Sequence, residues 1–355
     1  MSSILYYISG HGFGHAVRSN LVIESLRMRR ADAAVHVRST APEWLFHDSV
    51  RVSRQSIDIG MIQRDSLDFD VPATLRACQN YHERFAELLQ QETEYAKDRD
   101  VGLIVADIPP LAFEIAARLS IPSIAVTNFT WNWIYQSYAA EYPAFVPLIE
   151  ELETFYSKAT LALVLPYPGN MDVFPRQEPI PWMTRRSALS KEQAREMFDL
   201  PREATVVLVS FGGLGLKRLA WAKLKELRDF LFITTGESGE RHGNLRILAE
   251  TQRDYEDLVR AADVIVTKPG YGIVADALAH QVRLLYTDRG NFPEYFKLVD
   301  ALRECAIADY IPRRDLLNGN LAPYLHRLLG KEHRWPPVSL DGAGVAAEKI
   351  LKLYN

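Results

Sequence analysis

Short apolar runs recur along the chain, and between them apolar residues return at helical spacing. In the first half the runs are 3–9 (SILYYIS), 33–39 (AAVHVRS), 101–107 (VGLIVAD), 121–128 (IPSIAVTN) and 159–165 (ATLALVL). Runs of this length bounded by turn residues read as buried strands. The stretches 15–29, 74–97 and 110–119 read as helices. Strands alternating with helices predict a parallel sheet covered on both faces. The second half restarts the same order, with strands at 204–213, 229–236, 243–248, 262–270 and 282–288 and helices between them. Between the halves, 166–190 carries Pro166, Pro168, Pro175, Pro179 and Pro181. Proline at that density excludes a helix interior and a central strand, so this stretch predicts a linker. The pattern as a whole predicts two doubly wound α/β domains, 1–165 and 191–340, with a cleft between them.

Length agrees with that division, because 355 residues exceed one ordinary core and suit two of roughly 150–200 residues each. Net charge is −4, from 41 basic and 45 acidic residues, a balance that points to neither nucleic acid nor an anionic membrane. Cys78 and Cys305 are far apart and lack metal-ligand or redox spacing, so they read as small apolar residues in a reducing compartment. No basic segment precedes the first apolar run, and no run approaches the roughly 20 residues of a membrane span. The expectation is a cytoplasmic protein without integral membrane association.

In open α/β sheets, ligands bind off the carboxyl ends of the strands. After the first strand comes Gly10-His11-Gly12-Phe13-Gly14-His15. Glycine admits positive φ and close approach of a ligand to the backbone. His15 stands at a helix start, where free N–H groups attract an anion, and a neutral imidazole there can act as a general base. A Gly-rich turn with a capping histidine fits the same residues. The spacing is not G-x-G-x-x-G with a following acid, which excludes a dinucleotide fingerprint. Asp107, ending the run 101–107, either orients a histidine, binds a sugar hydroxyl or caps the helix near Pro110. Asn128-Phe129-Thr130-Trp131-Asn132-Trp133 suits a ligand wall of aromatics and amides.

In the second half, Ser210, Gly212 and Gly213 follow a strand and offer backbone N–H groups to phosphate. No Gly-Lys-Ser/Thr follows, which argues against an ATPase. Lys268, Gly270, Tyr271 and Gly272 lie between a strand and a helix, an arrangement that attracts phosphate. Asp276, one turn into that helix, can accept from ribose hydroxyls or simply complement the helix dipole. Asn291 and Glu294 follow the last strand, at the mouth of the same cleft. Base contacts are expected near 236–239 and Tyr255.

These motifs, in this order, resemble the GT-B glycosyltransferases, in the branch of the lipid II-forming GlcNAc transferases. The resemblance implies two Rossmann-like domains, an N-terminal acceptor domain and a C-terminal nucleotide-sugar domain. It also implies a last helix crossing back to the first domain, matched by 341–355. "GHGFGHAVR", "AVTNFTWNWIY", "KPGYGIVADAL" and "RRDLLNG" are similar to the N-terminal GT-B region of plant L-arabinokinases over nearly the whole chain. That match does not include the kinase region and implies no kinase activity. "GFGHAVR" is also similar to the nucleotide-sugar hydrolase of pseudaminic acid synthesis, in which the histidine works on water. The chain departs from the GlcNAc transferases where their Gln-rich segment is replaced by "DRGNFPEY", which leaves the donor sugar open.

The resemblance implies transfer of a sugar from a nucleotide-diphosphate donor, UDP-linked, to a small-molecule or glycan acceptor. His15 would be the base, and Asp107, placed with it among the catalytic residues, would contact sugar or acceptor, as would Asn128. Gly12, Gly14, Ser210, Gly212, Gly213, Lys268, Gly270, Tyr271, Gly272, Asp276, Asn291 and Glu294 would line the donor, with no metal and no further cofactor. With water as acceptor the same site makes a hydrolase, and without turnover it makes a nucleotide-sugar sensor.

Overall fold

The structure is a computed structural model that describes residues 2–354 apart from 48–49, 213–214, 217, 237–238 and 250–253. Seven parallel strands form the first sheet: β1 (Ser3–Ile8), β2 (Val35–Ser39), β3 (Arg51–Arg54), β4 (Val101–Asp107), β5 (Ser123–Thr127), β6 (Leu161–Val164) and β7 (Gln177–Pro179), in the order β3-β2-β1-β4-β5-β6-β7. The apolar run of β1 is continuous because both faces are covered. Ile4, Tyr6 and Ile8 enter one core, and Leu5 and Tyr7 enter the other.

The second sheet holds β8 (Thr205–Val209), β9 (Phe230–Gly236), β10 (Glu240–His242), β11 (Leu245–Ala249), β12 (Val264–Thr267), β13 (Arg283–Tyr286) and β14 (Ala308–Tyr310). Its order is β10-β11-β9-β8-β12-β13-β14, parallel except for the β10–β11 hairpin. β8 alternates as β1 does, with Val206 and Leu208 on one face and Val207 and Val209 on the other. Both sheets therefore run outward in two directions from their first strand. The reversal falls between β1 and β4 in one and between β8 and β12 in the other, and a crevice opens at such a point.

Three features differ from the sequence expectation. The helix expected at 74–97 is two, Val71–Glu83 and Phe85–Lys97. They meet at Arg84, whose N–H bonds Tyr81 O and His82 O instead of the carbonyl four residues back. No glycine or proline marks that break. β3, β10 and β14 carry no buried residue, so no apolar run announces them. β7 forms inside the proline-rich stretch, which is possible because it is the outermost strand of its sheet.

The helix Gly342–Tyr354 packs against the helix Phe13–Arg29 and β4, so the chain ends on the first lobe. The lobes also interlock at a turn, 63–69, whose Leu67 is fully buried among Val209, Phe211 and Leu285 of the second lobe.

Candidate active site

Gly12 has φ +72°, a left-handed value that a side chain would strain. It lets the chain pass from β1 into the helix Phe13–Arg29 and places His15 in the first helical turn, 6% exposed. Asp107 is the register partner of Ile8 across β1 and β4, so it ends its strand beside that turn. His15 Nδ1 lies 2.9 Å from Asp107 Oδ1. Of the three roles open to Asp107, orienting a histidine is the one the geometry displays. The helix that follows it, Leu111–Leu119, has no side-chain cap.

Arg18 also holds Asp107. Its Nε donates to Oδ2 and its Nη2 to Oδ1, each at 2.5 Å, and Ser19 Oγ donates to Oδ2 at 3.2 Å. Burial alone would raise the Asp107 carboxyl, but Arg18 and His15 outweigh it and hold it below the usual range. From Arg18 a buried polar chain crosses to the second lobe. Arg18 Nη1 donates to Asn128 Oδ1 (2.7 Å), and Asn128 Nδ2 donates to Glu294 Oε1 (2.9 Å). Arg289 Nη1 donates to Glu294 Oε2 (2.8 Å). Sequence reasoning gave no role to Arg18 or Arg289, although both stand in the motifs quoted above. The available signal for Arg18 was its position three residues after His15, on the same helix face.

Aromatic rings enclose the imidazole, with Phe129 at 5.6 Å and Trp131 at 6.4 Å between centroids. His11 has a different task. Its Nδ1 accepts from Met61 N–H at 3.3 Å, and its ring meets Trp131 edge-on at 5.3 Å. Burial, then the neighbouring His15, Arg289 and Lys268, push the His11 pKa well down, which agrees with a neutral ring holding the 60s loop.

On the second lobe, Ser210 Oγ lies 2.6 Å from Tyr255 OH. Lys268 Nζ donates to Ser66 O of the first lobe. Burial, then Arg289, push the Lys268 ammonium down to about 7. Gly12, Gly14, Gly212, Gly270 and Gly272 share one property: an added Cβ at any of them meets nothing within 4 Å. Three buried polar atoms without a partner, Thr130 Oγ1, Thr287 Oγ1 and Arg289 Nε, lie on strand-end loops of the two lobes. Gly213, and residues 237–238 of the expected base-contact region, lie outside the described residues.

Tyr271, Asp276, Asn291 and Glu294 have protein partners. The Tyr271 ring stacks on Trp182 of the proline-rich stretch at 4.9 Å and lies 5.4 Å beneath the Arg18 guanidinium. Asp276 is 2% exposed, and both its oxygens are engaged by that same stretch. Oδ1 accepts from Thr184 Oγ1 (3.0 Å) and Oδ2 pairs with Arg185 (2.5 Å). Ribose would reach this carboxylate only in exchange for one of those partners. Asn291 is exposed, and its carbonyl accepts from Tyr138 OH. Glu294 lies in the buried chain described above, not at an open mouth.

Among the described residues, no cluster of three or more His, Cys, Asp or Glu side chains could hold a metal. No helix of the described residues is long and apolar enough to cross a membrane.

Comparison with known proteins agrees with this architecture. The model of the family "Glycosyl transferase family 1" matches residues 2–286. L-arabinokinase of Arabidopsis thaliana is 32% identical over 339 residues, which is 91% of this chain and 32% of that protein. The chain thus spans about a third of the length of that relative. Among solved structures, Acinetobacter baumannii MurG is similar with a TM-score of 0.61 and 14% identity, covering 99% of this chain and 100% of that one. Phytolacca americana UGT2, solved with UDP-2fluoro-glucose and pterostilbene, is similar with a TM-score of 0.63 and 13% identity, covering 100% and 94%. The chain belongs to glycosyl transferase family 1 and has the GT-B fold.

Proposed function

We propose that this protein is a glycosyltransferase that moves a sugar from a UDP-linked donor to a hydroxyl of a small-molecule or glycan acceptor, with His15 as the general base. The observation that carries the reading is the His15–Asp107 pair at the first lobe's reversal point, set against Lys268 and the glycine-lined strand ends of the second. Nδ1 lies between Asp107 Oδ1 and Arg18 Nη2 (3.1 Å), and in the tautomer that donates from Nδ1 to Asp107, Nε2 takes the acceptor proton. Asp107 fixes the tautomer and stabilises the imidazolium that forms. The acceptor oxygen then bonds the anomeric carbon as the bond to the β-phosphate oxygen breaks.

Charge on the departing diphosphate is met by Lys268 and by the amino end of the helix Tyr271–His280. No metal is assigned to that step. Open room at Gly212, Gly270 and Gly272 lets phosphate approach the backbone, and the solved UGT2 complex shows that a GT-B relative takes a UDP-sugar. In this reading 1–165 with 341–355 receives the acceptor, 191–340 holds the donor, and 166–190 joins them. The place of action is the cytoplasm.

The test is turnover of UDP-, GDP- and dTDP-sugars in EDTA, with and without a panel of hydroxylic acceptors, read as nucleotide release and glycosylated product. Acceptor-dependent release is the expected result. Equal release without acceptor makes the protein a hydrolase. No turnover, with nucleotide binding retained, makes it a sensor.

Lys268 gives a separate expectation. A diphosphate favours its charged form, and in the free protein that form is lost as pH rises past about 7. Above about pH 7, binding must therefore take up a proton. Affinity for a UDP-sugar then falls with rising pH, by up to about tenfold per unit. Calorimetry in buffers of different ionisation enthalpy measures this uptake. Lys268→Arg, which keeps its charge, should abolish the dependence, and pH-independent binding by the unaltered protein would contradict it.

A further inference from the structure

The turn 63–69 leaves the first lobe and ends among the second lobe's strand-end loops. Gln63 and Phe69 pair across its base as an isolated antiparallel bridge. Asp65 Oδ1 accepts from the Leu67 and Asp68 N–H groups at 2.8 and 2.9 Å, which closes the tip. Beyond that closure Ser66 is 1% exposed and Leu67 0%.

The contacts of the tip fall on segments following four strands of the second sheet. After β8, Phe211 O lies 2.9 Å from Ser66 Oγ, and Gly215 O is a second acceptor for the same hydroxyl. After β12, Lys268 Nζ donates to Ser66 O. After β13, Gly290 has φ +59°, and a Cβ there would come within 2.8 Å of Leu67 O. Glycine is thus required at 290 both for its backbone angle and for the approach of the tip. Beyond β14, Arg313 Nη2 donates to Leu67 O at 3.2 Å. The charges complete the pattern. Asp68 pairs with Arg313 and, at 2.9 Å, with Arg218, and Asp65 pairs with Arg218 as well. The tip therefore offers this lobe what a nucleoside diphosphate offers it: oxygen on Lys268 and negative charge on guanidinium groups.

We propose that the tip is an internal competitor of the donor, with Ser66 and Leu67 occupying the place of the diphosphate and leaving it when a nucleotide binds. The proposal rests on the donor-site reading above, which it shares through Lys268. Withdrawal is compatible with the fold because the tip contributes no strand to either sheet. Free enzyme is held closed by the tip, and donor binding exchanges one anionic occupant for another.

Calorimetry of UDP and GDP against the full chain tests this. In Ser66→Gly/Leu67→Gly, affinity for UDP is expected to rise tenfold or more. In Asp65→Asn/Asp68→Asn, which leaves the apolar anchor in place, a gain of about threefold is expected. Unchanged or weaker binding in the first variant, while Lys268→Ala abolishes binding by the otherwise unaltered protein, overturns the competitor role and leaves the donor site standing. Should the first variant fail to fold, the carboxylate variant decides alone, and unchanged affinity there overturns the proposal. If neither nucleotide binds any of these proteins, the competitor role and the donor site fall together.

Discussion

His15→Ala is expected to lower kcat by about 10²–10⁴, the range for removal of a positioned general base, while donor affinity changes by less than about threefold. The split follows from geometry. The imidazole touches Asp107, Arg18 and the aromatic wall of the first lobe, whereas the groups assigned to the diphosphate belong to the second. Folding should survive, because Asp107 keeps both bonds from Arg18. Steady-state turnover with saturating donor measures the first effect, and calorimetry measures the second. Unchanged kcat would remove His15 from the chemistry. A loss confined to donor affinity would make it a binding residue instead.

Asp107→Ala is expected to give the largest stability loss, about 3–5 kcal/mol, since breaking one side of a buried ion pair leaves an uncompensated charge. The guanidinium of Arg18 is 4% exposed as a residue and would lose both short bonds to Asp107. Arg18→Met combined with Asp107→Ala should recover much of that loss, since no charge is then stranded. The pH dependence has a defined sign. The folded-state carboxyl of Asp107 lies below its ordinary value, so its contribution is complete above that ordinary value and is lost as pH falls through the folded one. Chemical denaturation of the three proteins between about pH 3 and 7 measures both effects. Equal stability of Asp107→Ala and the unaltered protein would contradict the buried pair.

The central strands were legible because both faces of β1 and β8 are buried, which leaves unbroken apolar runs in the sequence. The strand-to-helix turns were legible where glycine marked them, at Gly12 and at Gly270–Gly272. Asp107 was recognised as a strand-end acid, but its role became readable only once β4 was seen to lie beside β1. Arg18 was missed because a fully buried arginine has the same letter as a solvated one, and its partners Asp107 and Asn128 are distant in sequence. The residues 63–69, QRDSLDF, carry neither an apolar run nor a helical repeat. Leu67 owes its burial to residues more than a hundred positions away, and no local pattern encodes such a contact. Asp276 showed the limit of spacing arguments. A carboxylate one turn into a helix suits a ribose, the helix dipole and an arginine of the linker equally well, and Arg185 is the partner the fold supplies.

The most direct measurement is a crystal structure with an unhydrolysable UDP-sugar. The β-phosphate is expected within hydrogen-bond distance of Lys268 Nζ and the N–H groups at the start of the helix Tyr271–His280, with the anomeric carbon turned toward His15 Nε2. A nucleotide bound elsewhere, or one whose sugar points away from His15, would contradict the assignment of both the donor site and the base.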